Sequence, residues 1–251
     1  MKTPLNDEMV KQGHTLFRYR SFIPLLFILP GYLALRETPA IAAKIGLAAA
    51  NLWALFSFFV SLSGLVIRAV TVGYSQAATS GRNTKKQLAN SLNSTGIYSL
   101  VRNPLYLGNY LMLLGVSLSL MVWWFPLLVT LSYWLYMERI IATEERFLIE
   151  KFGDSYRRWA LETPAFIPRL FGWQTPRNPF SMKKVLRREF YGFTALCLAF
   201  FVTKLTADVH FGKMEFGSWL CAAWPWSYTF FASLLLFAVL YALKKTTRLL
   251  R

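Results

Sequence analysis

Long uncharged stretches alternate with short segments rich in Lys and Arg along most of the chain. Residues 22–35 are uncharged between Arg20 and Arg36. As a helix they reach about 21 Å, short against a hydrocarbon layer of about 30 Å, so the flanking arginines would snorkel to the interfaces. Pro24 and Pro30 predict a kink there. Residues 45–67, between Lys44 and Arg68, are long enough to cross unaided. Residues 105–137 carry no charge, too long a run for one crossing. Trp123, Trp124 and Pro126 near its middle predict two helices joined by a tight aromatic turn at an interface, where Trp is favoured. A short fifth span is expected over residues 190–203 and a sixth over 219–243. From Phe147 to Trp159 apolar and basic residues alternate at helical spacing, which predicts an amphipathic helix lying on a membrane surface. The expectation is an all-α, polytopic transmembrane bundle of about six spans.

Charge orients these spans. With both termini on one side, the connecting segments of that side carry 24 Lys and Arg, and the other side carries 4. The positive-inside rule makes the rich side cytoplasmic and the protein multi-pass, with both termini inside. The same rule accounts for the net charge of +16, which in a soluble chain would suggest a nucleic-acid partner; none is expected here. The composition agrees: of 251 residues 55% are hydrophobic and 16% charged, against about 25% charged in soluble proteins. Mean hydropathy is +0.37. No signal-peptide pattern precedes the first apolar run, and no lipidation box is read at the C-terminus. Two cysteines, Cys197 and Cys221, and two distant histidines, His14 and His210, give no metal-ligand spacing and no hydrolase triad. No metal is expected.

Two polar segments are too patterned to be plain connectors. The first ends Gly96-Ile97-Tyr98-Ser99-Leu100-Val101-Arg102-Asn103-Pro104-Leu105-Tyr106-Leu107-Gly108. Asn103 before Pro104 predicts a helix start, with Asn as cap and Pro at the first helical position. Uncapped N–H groups at such a start favour a carboxylate or phosphate, and Arg102 adds a cation between Tyr98 and Tyr106. Gly108 and Gly115 share one helix face, where a ligand or another helix can come close; packing is the commoner use. The second segment runs from Glu138-Arg139 to Thr143-Glu144-Glu145-Arg146 and on to Phe152-Gly153-Asp154-Ser155-Tyr156. Ionisable groups at the end of a span usually have a partner or a task. On one straight helix Arg139 and Glu144 would lie about 140° apart, so a break near Thr143, with Thr143 capping a new helix, is expected to turn both toward one cavity.

The ordered set Gly-x-Tyr-x-x-x-Arg-x-Pro-x-Tyr-x-Gly, then Arg-x-x-x-x-Glu-Glu and Phe-Gly-x-x-Tyr, resembles the superfamily of isoprenylcysteine carboxyl methyltransferases and phospholipid methyltransferases. The resemblance spans about residues 63–168. It divides the chain into N-terminal helices (1–62), a methyltransferase-like core (63–170) and C-terminal helices (171–251). It implies an integral membrane enzyme that uses S-adenosylmethionine, with a lipid or lipidated substrate entering from the bilayer. By motif position it assigns the cofactor to Tyr98, Arg102, Asn103, Tyr106, Gly108 and Glu145, and activity to Arg139 and Glu144. Arg139 would hold an anionic acceptor. Glu144 would bind the cofactor's ammonium or ribose, balance Arg139, or serve as the base for an amine acceptor. The superfamily usually carries His where this chain has Asn103, which binds and caps but does not titrate near neutrality. Two other readings remain open: a non-catalytic protein that keeps the helix frame, and an NADPH-dependent, sterol-reductase-like enzyme.

Overall fold

A computed structural model describes residues 4–19, 22–76 and 90–247. Lys2, Arg20 and the cations of the 77–89 and 248–251 segments, all used in the charge count, lie outside the described residues. Ten α-helices follow in order: α1 (Pro4–Tyr19), α2 (Ile28–Leu35), α3 (Thr38–Ile45), α4 (Leu47–Tyr74), α5 (Pro104–Leu118), α6 (Trp124–Phe152), α7 (Asp154–Glu162), α8 (Met182–Leu205), α9 (Phe216–Ala222) and α10 (Trp224–Thr246). No strand occurs among the described residues; one isolated bridge pairs Gly96 with Gln174. The protein is an integral membrane helical bundle.

Length and composition qualify three helices as membrane spans: α4, α8 with the π-helical turn Thr206–Phe211 that extends it, and α10. A fourth arises if the bent pair Pro24–Leu35 and Thr38–Ile45, at 49° to each other, is one broken span. The six-span expectation exceeds this, for physical reasons. The apolar helix α5 has 15 residues, about 22 Å of rise. The second half of α6 carries Glu138, Arg139, Glu144, Glu145 and Arg146. The uncharged run 105–137 does divide into two helices. The turn between them ends at Trp123, with Met121 in the left-handed region at φ 61°.

Small residues bring α4 and α5 together. A Cβ added at Gly108 would sit 2.6 Å from Arg68 Cγ and 2.7 Å from the Gly64 carbonyl, so these backbones approach only because neither glycine has a side chain. The Ser61 hydroxyl donates to the Met112 carbonyl at 2.7 Å along the same seam. The helix α8 is tied to this pair by a bidentate ion pair: Arg68 Nε donates to Glu189 Oε2 at 2.8 Å and Nη2 to Oε1 at 2.9 Å. Arg68 Nη1 donates to Asn109 Oδ1 at 2.6 Å, which completes the fork. At the opposite end of α5 and α6, Ala34, Leu35, Leu120, Val122, Phe125 and Val129 form one apolar cluster.

The polar N-terminal helix α1 lies along the charged half of α6. Its buried Val10 and Phe17 face α6, the Val10 carbonyl accepts from Thr143 Oγ1 at 3.1 Å, and Asp7 pairs with Arg146 at 2.6 Å. This contact has a consequence for the break expected near Thr143. Thr143 is buried in the middle of a continuous α6, its hydroxyl shared between the Val10 and Arg139 carbonyls. No helix starts there. The chain breaks ten residues later, at Gly153 with φ 52°, a conformation that costs other L-residues energy. The amphipathic stretch expected over 147–159 is therefore the end of α6 and most of α7.

Candidate functional site

The start of α5, the charged half of α6 and the short α7 converge on one cluster. Pro104 opens α5 with Asn103 in the cap position. The Asn103 side chain makes no cap hydrogen bond; its Nδ2 donates instead to the Ala165 carbonyl at 3.0 Å. One residue earlier, the Arg102 backbone N–H donates to the Pro164 carbonyl at 2.9 Å. These bonds lash the 96–103 turn to the segment that follows α7. The Trp159 indole adds a third tie, donating to the Tyr98 carbonyl at 3.2 Å.

Inside this frame, Tyr106 on α5 donates its hydroxyl to Glu144 Oε1 on α6 at 2.7 Å. Arg102 Nη2 lies 3.2 Å from Glu145 Oε1, close enough for an ion pair but out of line for a hydrogen bond. Arg102 Nη1 donates to the Ala160 carbonyl at 3.2 Å. Arg102 Nε and Glu145 Oε1 are both buried and have no hydrogen-bond partner among the described residues. A buried donor and a buried acceptor on the two partners of one ion pair, each without a hydrogen bond, cost free energy unless a ligand satisfies them.

Burial sets the protonation of the surrounding groups. It raises the Tyr98 phenol above its ordinary value, and the Glu144 carboxylate adds to the shift. Burial likewise raises Tyr156, with the nearby Glu145 carboxylate contributing next and the Arg102 cation opposing. Both phenols therefore stay protonated, and Tyr156 donates its hydrogen to Glu145. Burial also lifts Glu145 above the usual carboxylate range, while Arg102 and then the Tyr156 hydroxyl pull it back.

The structure thus brings together Tyr98, Arg102, Tyr106, Glu144 and Glu145 of the residues singled out from sequence. It separates three others. Gly108 faces α4, where Gly64 and Arg68 fill the space beside it. Asn103 turns its amide to Ala165. Arg139, on an unbroken α6, points toward α1: its Nε donates to Gln12 Oε1 at 2.7 Å and its Nη1 to the Leu135 carbonyl. Tyr156 joins the cluster without having been singled out as a site residue, although its Phe-Gly-x-x-Tyr motif was the available signal. Among the described residues no group of three or more His, Cys, Asp or Glu gathers as a metal site.

Fold and cluster together define a membrane helical bundle with a charged, partly unsatisfied polar cluster at the helix ends. Comparison with known proteins narrows this. Residues 58–155 match the family described as phospholipid methyltransferase. A protein named Protein-S-isoprenylcysteine O-methyltransferase, from Schizosaccharomyces pombe, is 35% identical over 85 residues, 34% of this chain and 36% of its own length. The cobalt-zinc-cadmium resistance protein CzcN of Cupriavidus metallidurans is 38% identical over 81 residues, 32% of this chain and 37% of its own. The matched stretches span little more than a third of each relative. No solved structure matches the chain. The matched stretch, from within α4 to the start of α7, is thus similar to phospholipid and isoprenylcysteine methyltransferases, in agreement with the motif resemblance.

Proposed function

We propose that the protein is an S-adenosylmethionine-dependent methyltransferase acting on a lipid or lipid-modified acceptor that reaches the pocket from the bilayer. The observation that carries this reading is the unmet Arg102 Nε and Glu145 Oε1 beside the Tyr106–Glu144 bond. The donor's amino-acid end carries a carboxylate and an ammonium, and the two orphaned atoms are a donor for the first and an acceptor for the second. Bound there, the cofactor supplies an electrophilic methyl group on a sulfonium. Tyr98, kept protonated, is a donor for its polar edges, and Tyr156 holds Glu145 in place. Glu144, oriented by Tyr106, holds the ribose or positions the acceptor. A carboxylate or phosphate oxygen is nucleophilic without a base, so alignment and exclusion of water are what the protein must provide. The name of the S. pombe relative, an isoprenylcysteine O-methyltransferase, favours such an oxygen acceptor. Arg139 is retained as a candidate for that anion on motif position, and it must release Gln12 to reach it. The 24 to 4 division of Lys and Arg supports placing both termini and the site on the cytoplasmic side.

The test is incubation of the purified protein, in vesicles of total membrane lipid, with methyl-labelled S-adenosylmethionine. Label is expected in the lipid fraction or in a prenylated peptide added to the vesicles. Glu144→Gln is expected to lower turnover roughly 100-fold if it aligns the acceptor. Arg102→Ala is expected to weaken cofactor affinity roughly tenfold or more, the worth of a charged hydrogen bond. Arg139→Ala with unchanged turnover would assign Arg139 to the α1 contact. Absence of both cofactor binding and label transfer would sink the reading.

A further inference from the structure

The end of α7 and the segment after it leave an unusual set of side chains in the open. Leu161 and Leu170 are each 88% exposed, Phe171 84% and Ile167 74%. Large apolar side chains gathered this densely outside the long helices mark a contact with something apolar. The backbone that presents them is held firmly. Besides the bonds from Arg102 and Asn103 to Pro164 and Ala165, the Arg169 N–H donates to the Leu100 carbonyl at 3.1 Å. The Arg169 guanidinium donates to the carbonyls of Ser99 at 2.9 Å and Glu162 at 3.0 Å. Past it, the Gly96 N–H donates to the Gln174 carbonyl at 2.8 Å. Several polar groups of the segment are thus bonded to the 96–103 turn, and four of its large apolar side chains are left on the outside.

Position identifies what covers them. Phe166, the inward member of the segment, packs on Trp134 with ring centroids 5.2 Å apart, and on Tyr110 and Tyr133 at 6.4 Å. Trp134 belongs to the apolar half of α6, whose Leu127, Leu131 and Leu135 are exposed as a lipid-facing surface requires. Phe166 thus attaches the segment to the apolar half of α6, whose exposed leucines face the bilayer. Exposed Arg157, Arg158 and Arg177 flank the open side chains of the segment. Apolar side chains rimmed by arginines fit a leaflet containing anionic phospholipid.

We propose that residues 161–173 form a rigid interfacial anchor. It sinks Leu161, Ile167, Leu170 and Phe171 into the leaflet that borders the Glu144 pocket, with the flanking arginines at the phosphates. The anchor fixes the turn carrying Tyr98 and Arg102 at the bilayer surface, beside α6. That the anchor also helps a lipid acceptor reach Glu144 rests on the methyltransferase reading; the insertion does not.

Insertion is read without any activity. In the full-length protein with Cys221→Ser, nitroxide labels are placed one at a time on Ile167→Cys, Leu170→Cys, Phe171→Cys and, as the water-side control, Glu162→Cys. In vesicles of phosphatidylcholine with phosphatidylglycerol, the first three labels are expected to be open to dissolved oxygen and shielded from a water-soluble nickel chelate, at about 5–10 Å below the headgroups. The control label is expected to show the reverse. Three labels as accessible to nickel as the control would overturn the anchor. So would spin–spin broadening that reports a second copy of the chain on this face. Leu170→Glu with Phe171→Glu is then assayed for methyl transfer, with an expected severalfold rise in KM for the lipid acceptor and an unchanged KM for the methyl donor. Unchanged KM for both, with insertion intact in the parent, would overturn the link to the acceptor and leave the anchor standing. Loss of all methyl transfer in the parent protein, with inserted labels, would instead count against the enzymatic reading.

Discussion

Two arginine–glutamate pairs stand near the start of α5, and their geometry separates a complete pair from an incomplete one. In the Arg68–Glu189 pair, three guanidinium nitrogens each have an oxygen in line: two on the Glu189 carboxylate and one on Asn109. The side chains are 19% and 6% exposed. In the Arg102–Glu145 pair the closest atoms are 3.2 Å apart and misaligned, and one buried atom on each partner is unmet. Both pairs are half-buried or more, so desolvation penalises both. Only the first recovers that penalty within the protein. An ion pair that stays incomplete in an otherwise well-bonded region is poised to be completed from outside.

The largest effect should come from opening the closed pair. Arg68→Ala leaves the Glu189 carboxylate buried and alone between α4, α5 and α8. A loss of about 3–5 kcal/mol is expected, the usual result of removing one partner of a buried pair. It should appear as a large drop in the thermal midpoint in detergent. Replacing both partners, Arg68→Met with Glu189→Leu, is expected to recover most of the loss, because no charge is left unpaired. If Arg68→Ala were nearly neutral for stability, the contrast between the two pairs would fail.

A smaller effect separates packing from binding at Gly108. The motif resemblance assigns this glycine to the cofactor, whereas its surroundings are Gly64 and the stem of Arg68. That stem cannot yield freely, because Glu189 and Asn109 hold its end. Gly108→Ala is therefore expected to destabilise the protein by about 1–3 kcal/mol, as overpacking does, while the folded fraction binds the methyl donor with unchanged affinity. A normal thermal midpoint with impaired binding would return Gly108 to the pocket.

How much of this was legible in the sequence follows from how local each feature is. The helical bundle was legible, because uncharged runs between cations are a one-dimensional signal. The turn near Trp123 was legible for the same reason: 33 uncharged residues exceed one crossing. The Tyr106–Glu144 and Arg102–Glu145 contacts were legible as a cluster because the motif orders their residues. Arg68 and Glu189 were not, since 121 positions separate them and neither stands in a motif. The role of α1 was missed although Val10 and Phe17 lie seven apart, two turns of one face, because its polar composition hides a narrow apolar stripe. That omission explains the error at Thr143. Read alone, Thr before two acids looks like a helix cap. With α1 alongside, the same hydroxyl bonds to the Val10 and Arg139 carbonyls and the helix continues.

The smallest effect, and the most specific, is the pH dependence of the open pair. Burial raises the Glu145 carboxyl above its ordinary value, with Arg102 and the Tyr156 hydroxyl opposing. For an acid whose folded-state value is raised, the folded protein holds the proton at pH values where the unfolded chain has lost it. Its contribution to stability is therefore present below the unfolded value and is lost as pH rises through the folded one. Ligand binding runs the other way. If Glu145 accepts from the ammonium of the methyl donor, it must be ionised, so affinity falls as pH drops through the raised value. Linkage to one proton limits that fall to about tenfold per pH unit. Titration calorimetry across the mildly acidic range should show affinity declining at a pH above that at which an exposed glutamate protonates. In Glu145→Gln the affinity should be lower at neutral pH and flat across the same range. An inflection at the ordinary glutamate value, or one that persists in Glu145→Gln, would show that the incomplete pair is not what the ammonium meets.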